Sequence, residues 1–152
     1  SRERIDNEDI LTAIYIYLLG QITDREEIIG EVVIGRYQKF FPIRLDLAQC
    51  QDFTGIFKVV NGKFRAIQEY GSQPIPAKIR EAYDTESVLP QININSEMAM
   101  GNSDLYVKIV SQSNKLKLIF GYQADKLCQK KIEEFSKMYI RLLKMIINEY
   151  QK

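Results

Sequence analysis

Apolar residues recur at helical spacing in three segments of the chain. This period of three and four positions predicts helices over residues 7–21, 52–69 and about 125–150. The apolar stripe of the last helix comprises Ile132, Phe135, Met138, Tyr139, Leu142, Met145, Ile146 and Tyr150. The pattern indicates amphipathic helices, and each apolar stripe is expected to face a common core.

Two strands are predicted between the first and second helices. Residues 28–36 are rich in β-branched side chains and indicate a buried strand, in which Gly30 and Gly35 favour a close approach of backbone or a bend. Residues 39–47 alternate in polarity and predict a second strand. Because Pro42 has no N–H to donate, we expect this strand to lie at a sheet edge or to contain a bulge.

Three further strands are predicted in the second half of the chain. Residues 88–95 form a short apolar run in which Asn93 and Asn95 are expected on the face opposite the isoleucines. Residues 105–111 and 115–122 alternate in polarity and are separated by a few residues, which predicts an antiparallel hairpin.

The order of the elements indicates the fold class. A helix, two strands, a helix, a short helix from about Pro76, a strand, a hairpin and a helix follow one another without an internal repeat or a domain boundary. The sequence therefore predicts an α/β (α+β) two-layer sandwich, with a mixed sheet of five to six strands and helices packed on it. A single domain is expected over residues 1–152.

Composition excludes several classes of function. The chain has 152 residues, 21 basic and 20 acidic, so it lacks the basic balance of a dedicated nucleic-acid binder. It contains no histidine, so it cannot itself supply a histidine base, a Ser-His-Asp triad or the commonest metal ligand. We expect no nucleic-acid partner, no bound metal and no catalytic residue in this chain.

The cysteines and the apolar runs suggest a cellular setting. Cys50 and Cys128 stand far apart without a second cysteine near either, which favours reduced thiols over a zinc or redox site. No run approaches the length of a membrane span, and the polar start is not a signal peptide. We expect a cytoplasmic protein without a membrane partner, and the missing initiator methionine suggests a processed or excised segment.

Three polar residues are candidates for a functional site. Asn93 and Asn95 interrupt an apolar strand, and their amides are expected either to face solvent or to line a channel or interface. Arg36 follows the buried strand, where it is either a solvent-facing terminus or a functional side chain.

Four blocks of sequence resemble the C-terminal half of nonribosomal peptide synthetase condensation domains. The segment IIGEVVIGR (28–36) resembles the family's vvvGtpvsGR strand, and it follows the helix LTAIYIYLLGQITDREE (11–27). FFPIRLDLAQCQDFTGIF (40–57) is similar to the family's next strand and helix. YQADKLCQKKIEEFSKMYIRLLKMI (122–146) resembles its last helix, so order and spacing agree over nearly the whole chain.

The resemblance implies both a fold and a role. The family has two lobes of chloramphenicol-acetyltransferase-like fold that face each other across a tunnel, and its catalytic HHxxxDG motif belongs to the N-terminal lobe. In that acyltransferase-type reaction, phosphopantetheine-tethered substrates on carrier proteins enter the tunnel from opposite ends. The resemblance implies that this lobe supplies one tunnel wall, with Arg36, Asn93 and Asn95 as substrate-channel residues.

The same resemblance implies partners and a biological setting. An N-terminal condensation lobe and peptidyl or acyl carrier proteins would be the partners. Phosphopantetheine would belong to the carriers, and this chain would bind no cofactor of its own. Secondary metabolism, with antibiotic biosynthesis as the expected case, would be the setting.

The chain departs from the family pattern in its loops. Only YQK stands between Arg36 and Phe40, and these four Cα steps span at most about 14 Å. We therefore predict a local strand connection at residues 37–39. We expect neither this segment nor residues 97–103 to extend out of the sheet and grip another lobe. Two alternatives stay open: a degenerate, non-catalytic module for protein docking, and a trimeric acetyltransferase-like protein, which the absence of histidine disfavours.

Overall fold

A computed structural model describes residues 7–35, 39–50, 52–70, 90–96, 105–112, 115–122 and 128–150. The helices are α1 (Asn7–Thr23), α2 (Phe53–Tyr70) and α3 (Gln129–Tyr150). The strands are β1 (Glu27–Ile34), β2 (Lys39–Asp46), β3 (Gln91–Ile94), β4 (Leu105–Gln112) and β5 (Lys115–Tyr122). Leu47–Gln49 form a short 3-10 helix after β2.

The described strands form one mixed sheet in the order β2-β1-β3-β4-β5. The three central strands β1, β3 and β4 are parallel, whereas β2 and β5 pair antiparallel to their neighbours at the two edges. The predicted α+β class and mixed sheet are thus confirmed, with five strands in the described part of the chain.

Local sequence signals predicted one edge strand and the antiparallel hairpin correctly. Pro42 lies in β2, which is an edge strand. An edge strand tolerates a residue without an N–H, because it does not need hydrogen bonds to neighbours on both sides. β4 and β5 form the predicted hairpin. Strand pairing between β1 and β2 continues as far as Ile34 and Lys39, whereas residues 36–38 of the predicted local connection lie outside the described residues.

The helix α1 is not amphipathic, contrary to the sequence prediction. Its apolar residues are buried around the whole circumference: Ile10, Leu11, Ala13, Ile14, Tyr15, Ile16, Leu18 and Leu19 are at most 4% exposed. The cause is its position, because α1 contacts α2, α3 and the strands β1 and β3. Residues 9–16 of α1 are all buried, so this part of the helix has no solvent face to carry polar residues, whereas residues 21–23 at its end are exposed.

Two buried tyrosines connect the helices to each other and to the sheet. The Tyr15 hydroxyl of α1 donates to the Leu105 carbonyl at the start of β4 (3.0 Å), and the Tyr139 hydroxyl of α3 donates to the Leu11 carbonyl (2.7 Å). Phe135 contacts Tyr15 edge to face, with ring centroids 6.0 Å apart. These bonds satisfy hydroxyls that would otherwise be costly to bury.

The exposure of two methionines on α3 corrects a second prediction, the width of its buried face. Ile132, Phe135, Tyr139, Leu143 and Ile146 face the core as the helical period requires. Met138 and Met145, which the sequence pattern placed in the same stripe, are instead 45% and 55% exposed. The buried face of α3 is therefore narrower than the apolar face predicted from its sequence.

Several predicted features fall outside the described residues. The short helix from Pro76, the segment 97–104 and the predicted first turn of the last helix are among them. Within the described ranges, no helix is long and apolar enough to cross a lipid bilayer.

Candidate functional site at the carboxyl ends of the parallel strands

The parallel strands β1, β3 and β4 end at the same edge of the sheet. We call Gly35, Asn95, Ser96 and Ser111, which lie at or just beyond these strand ends, the carboxyl edge. In open sheets with parallel strands, ligands bind preferentially at the carboxyl ends. This edge is therefore the place where the fold most readily presents a site.

Asn95 joins β3 to β4 beyond the last regular strand pair, Ile94 with Ile109. Its φ of 55° lies in the left-handed region, which asparagine tolerates better than most residues. Its backbone N–H donates to the Ile109 carbonyl at 2.8 Å. The side-chain Oδ1 accepts from the Ser111 N–H at 2.8 Å, and Nδ2 donates to the Ser111 Oγ at 3.2 Å.

Gly35 makes the corresponding contact between β1 and β3. Its N–H donates to the Ile94 carbonyl at 2.9 Å. A Cβ at this position would overlap the carbonyl group of Asn95, so a side chain cannot be accommodated without a backbone shift. The close approach of backbone predicted for this glycine is confirmed, and the approach at Gly30 is less close, because a Cβ there would lie 3.1 Å from the Pro90 carbonyl oxygen.

Asn93 and Asn95 do not share a strand face, which corrects the sequence prediction. Asn93 projects opposite Ile92 and Ile94 but is 0% exposed, and its Oδ1 accepts from the Ser96 N–H at 3.2 Å. Asn95 has left β3, because its left-handed backbone breaks the period of two. Asn93 is therefore buried and does not face solvent, whereas Asn95 is exposed.

The third candidate, Arg36, lies outside the described residues, so its role stays a prediction. The sequence reasoning missed Ser111 as a site residue. Only the pairing of β3 with β4 brings the Ser111 and Asn95 side chains together, and sequence spacing does not reveal that pairing.

The chemistry of the carboxyl edge is hydrogen bonding rather than proton transfer. Its side chains are an amide and hydroxyls, and Asn95 and Ser111 retain hydrogen-bonding capacity beyond the bonds already described. Among the described residues, no group of three or more histidine, cysteine or acidic side chains is placed to hold a metal ion. An arrangement of this kind can bind and orient a polar ligand, but it does not supply a base.

The groups with shifted pKa values lie away from this edge. Burial raises the pKa values of Tyr15 and Tyr139 well above that of a free tyrosine, and Tyr15 contacts the opposite end of β4. Burial, and secondarily the Asp46 charge, raises the pKa of the Cys50 thiol, which lies before α2. None of the three faces the Asn95–Ser111 pair.

Solved structures match this fold over nearly the whole chain. The starter condensation domain of rhizomide synthetase superposes with a TM-score of 0.67 at 11% identity, over 95% of this chain and 42% of its own. The fold is that of part of a condensation domain. The first condensation domain of the CDA synthetase gives a TM-score of 0.63 at 15% identity, over 90% of this chain and 38% of its own.

A related synthetase domain shares the condensation-type fold. The epimerization domain from the third module of tyrocidine synthetase B superposes with a TM-score of 0.65 at 12% identity, over 93% of this chain and 42% of its own. The chain thus spans about two-fifths of these structures, a share consistent with the C-terminal half that the sequence resembles. No protein-family model and no curated protein sequence matches the chain.

Proposed function

We propose that this chain is the C-terminal lobe of a condensation-type domain of nonribosomal peptide synthesis. The observation that carries this proposal is the condensation-type fold together with the exposed, polar Asn95–Ser111 pair at the carboxyl edge. In this function the carboxyl edge forms one wall of a tunnel for carrier-tethered substrates, and an N-terminal lobe forms the other.

The carboxyl edge suits the chemistry of a phosphopantetheine arm, whose amide groups need both donors and acceptors. Ser111 Oγ accepts a hydrogen bond from Asn95 Nδ2, and its own hydroxyl proton stays available to donate. Asn95 Nδ2 keeps a second amide proton, and both residues are exposed. Asn93 is fully buried, so in our proposal it supports the turn at Ser96 instead of touching substrate.

The proposed reaction divides its chemistry between the two lobes. The amine of the downstream substrate attacks the thioester carbonyl, a C–N bond forms, the C–S bond breaks, and the amine proton leaves as the thiol is released. A group that takes this proton has to be positioned near the amine. Because this chain has no histidine, we assign it binding and orientation, and we assign the base to the N-terminal lobe.

A non-catalytic docking module is the alternative function. The epimerization domain shares the fold, so the fold by itself does not select a reaction. The absence of histidine is equally compatible with a chain that only binds a synthetase or a carrier protein.

A peptide-forming assay on a two-lobe protein distinguishes the two functions. The chain is fused after an N-terminal condensation lobe that carries HHxxxDG, given loaded donor and acceptor carrier proteins, and the product is followed by mass spectrometry. We expect product from the fusion and none above background from the chain alone. Ser111→Ala should lower turnover, whereas Val59→Ala on the exposed face of α2 should not.

Turnover by the isolated chain would contradict the division of chemistry proposed here. A folded fusion that binds loaded carriers but forms no product would favour the docking module instead.

A further inference from the structure

The outer side of α3 carries an apolar stripe that the core does not use. Met138, Leu142 and Met145 are spaced by four and three residues, so they lie on one side of the helix. Met138 and Met145 are 45% and 55% exposed, and Leu142 is partly buried at the border of the core. Methionine side chains are flexible and polarizable, and they are common at surfaces that receive a partner helix.

A basic stripe runs beside the apolar one. Lys137, Arg141 and Lys144 each precede a member of the apolar stripe by one position, which rotates them by about 100° around the helix. All three are exposed, and none has a carboxylate partner within ion-pair distance among the described residues. Between Glu134 and Glu149, α3 contains no acidic residue, so basic side chains predominate along this stretch of the helix.

We propose that the two stripes of α3 form a docking surface for an amphipathic helix of another protein, with apolar residues on one side and acidic residues beside them. The partner's apolar side chains would cover Met138 and Met145, and its carboxylates would pair with the three basic side chains. Charge complementarity selects an acidic partner, because a basic helix would bring like charges together. The proposal is independent of the function assigned to the carboxyl edge.

An anionic membrane is the other class of surface that attracts apolar and basic side chains together. The structure favours a protein partner, because the main apolar face of α3 is already buried in the core. The exposed stripe is narrow and contains no aromatic anchor, whereas interfacial helices insert a wide face that includes aromatic residues. Binding to vesicles is therefore an outcome that the test must include.

Fluorescence anisotropy with two labelled helical peptides tests the proposal. Both peptides carry the same leucine stripe, and one has glutamates beside it where the other has lysines. The wild-type chain should bind the glutamate peptide at least about tenfold more tightly than the lysine peptide. The double variant Met138→Asp/Met145→Asp should lose this binding, whereas Val59→Asp, a matched change at an exposed apolar residue of α2, should keep it.

Charge reversal supplies the decisive variant. In Lys137→Glu/Arg141→Glu/Lys144→Glu the preference should switch to the lysine peptide, while circular dichroism shows an unchanged helix content. Failure to bind either peptide, or an unchanged preference in this variant, would overturn the proposal. Binding of wild-type chain to phosphatidylglycerol vesicles, lost in the methionine variant without binding to either peptide, would overturn it in favour of a membrane.

Discussion

At the scale of single residues, the carboxyl edge depends on two positions with special backbone requirements. Gly35 gives room to the Asn95 carbonyl, and Asn95 turns the chain while its side chain continues the pairing to β4. The glycine could be predicted as a close backbone approach from its place in an apolar strand. The left-handed turn at Asn95 could not, because a strand pattern of alternating polarity continues through it.

The first prediction concerns Gly35. The variant Gly35→Ala should lower the free energy of unfolding by about 1–3 kcal/mol, since its Cβ would overlap backbone that cannot move independently. Urea denaturation measures the change. The same substitution at Gly62, where a Cβ in α2 meets no atom within 4 Å, should raise the free energy of unfolding by about 0.5–1 kcal/mol. Equal effects at the two sites would contradict the close contact described for Gly35.

The second prediction concerns the backbone at Asn95. Both Asn95→Gly and Asn95→Ala remove the side-chain hydrogen bonds to Ser111, but only alanine disfavours the left-handed backbone conformation. Asn95→Ala should therefore be less stable than Asn95→Gly by about 1 kcal/mol in urea denaturation. At Lys58, an exposed residue within α2, the order should reverse, with alanine more stable than glycine. The same order at both positions would argue against a left-handed Asn95.

At the scale of elements, the polarity pattern predicted which segments are helices and strands more reliably than which faces are buried. Whether a segment forms a helix or a strand follows from the spacing of its own apolar residues, and β4 and β5 also pair locally in a hairpin. Burial depends on what packs against each element. α1 is enclosed by neighbours distant in sequence, and the methionines of α3 lie beyond the reach of the core. Neither the burial of α1 nor the exposure of these methionines can be predicted from the sequence of the segment itself.

The third prediction concerns pH and the tyrosines that join α1 and α3. Burial raises the pKa values of Tyr15 and Tyr139 in the folded chain, so their contribution to stability is complete below the unfolded pKa of about 10. Above that pH the unfolded state loses protons first. The free energy of unfolding should then fall by up to about 1.4 kcal/mol per pH unit for each tyrosine.

Denaturation curves recorded at pH 8 to 11.5 measure this slope. Tyr15→Phe and Tyr139→Phe should each reduce it by one tyrosine's share, although each variant also loses a hydrogen bond and starts from a lower stability. A slope that stays the same in both variants would show that other groups cause the alkaline unfolding.

At the scale of the whole molecule, the chain has the fold of about two-fifths of a synthetase domain. The sequence resemblance predicted this fold in advance, because four blocks agreed in order and spacing. β1 and β2 pair with each other up to Ile34 and Lys39, which is consistent with the predicted local connection between them. In our account a second lobe therefore meets the carboxyl edge itself, where Asn95 and Ser111 are exposed.

Site-directed labelling with a pantetheine electrophile tests whether the carboxyl edge receives a pantetheine-bearing substrate. Ser111→Cys and Val59→Cys are made separately in a chain whose Cys50 and Cys128 are replaced by serine. Each variant is treated with bromoacetyl-pantetheine and with iodoacetamide, and the ratio of the two rates corrects for thiol reactivity. Our account predicts a ratio severalfold higher for the variant at position 111 than for the variant at position 59. Equal ratios would contradict it.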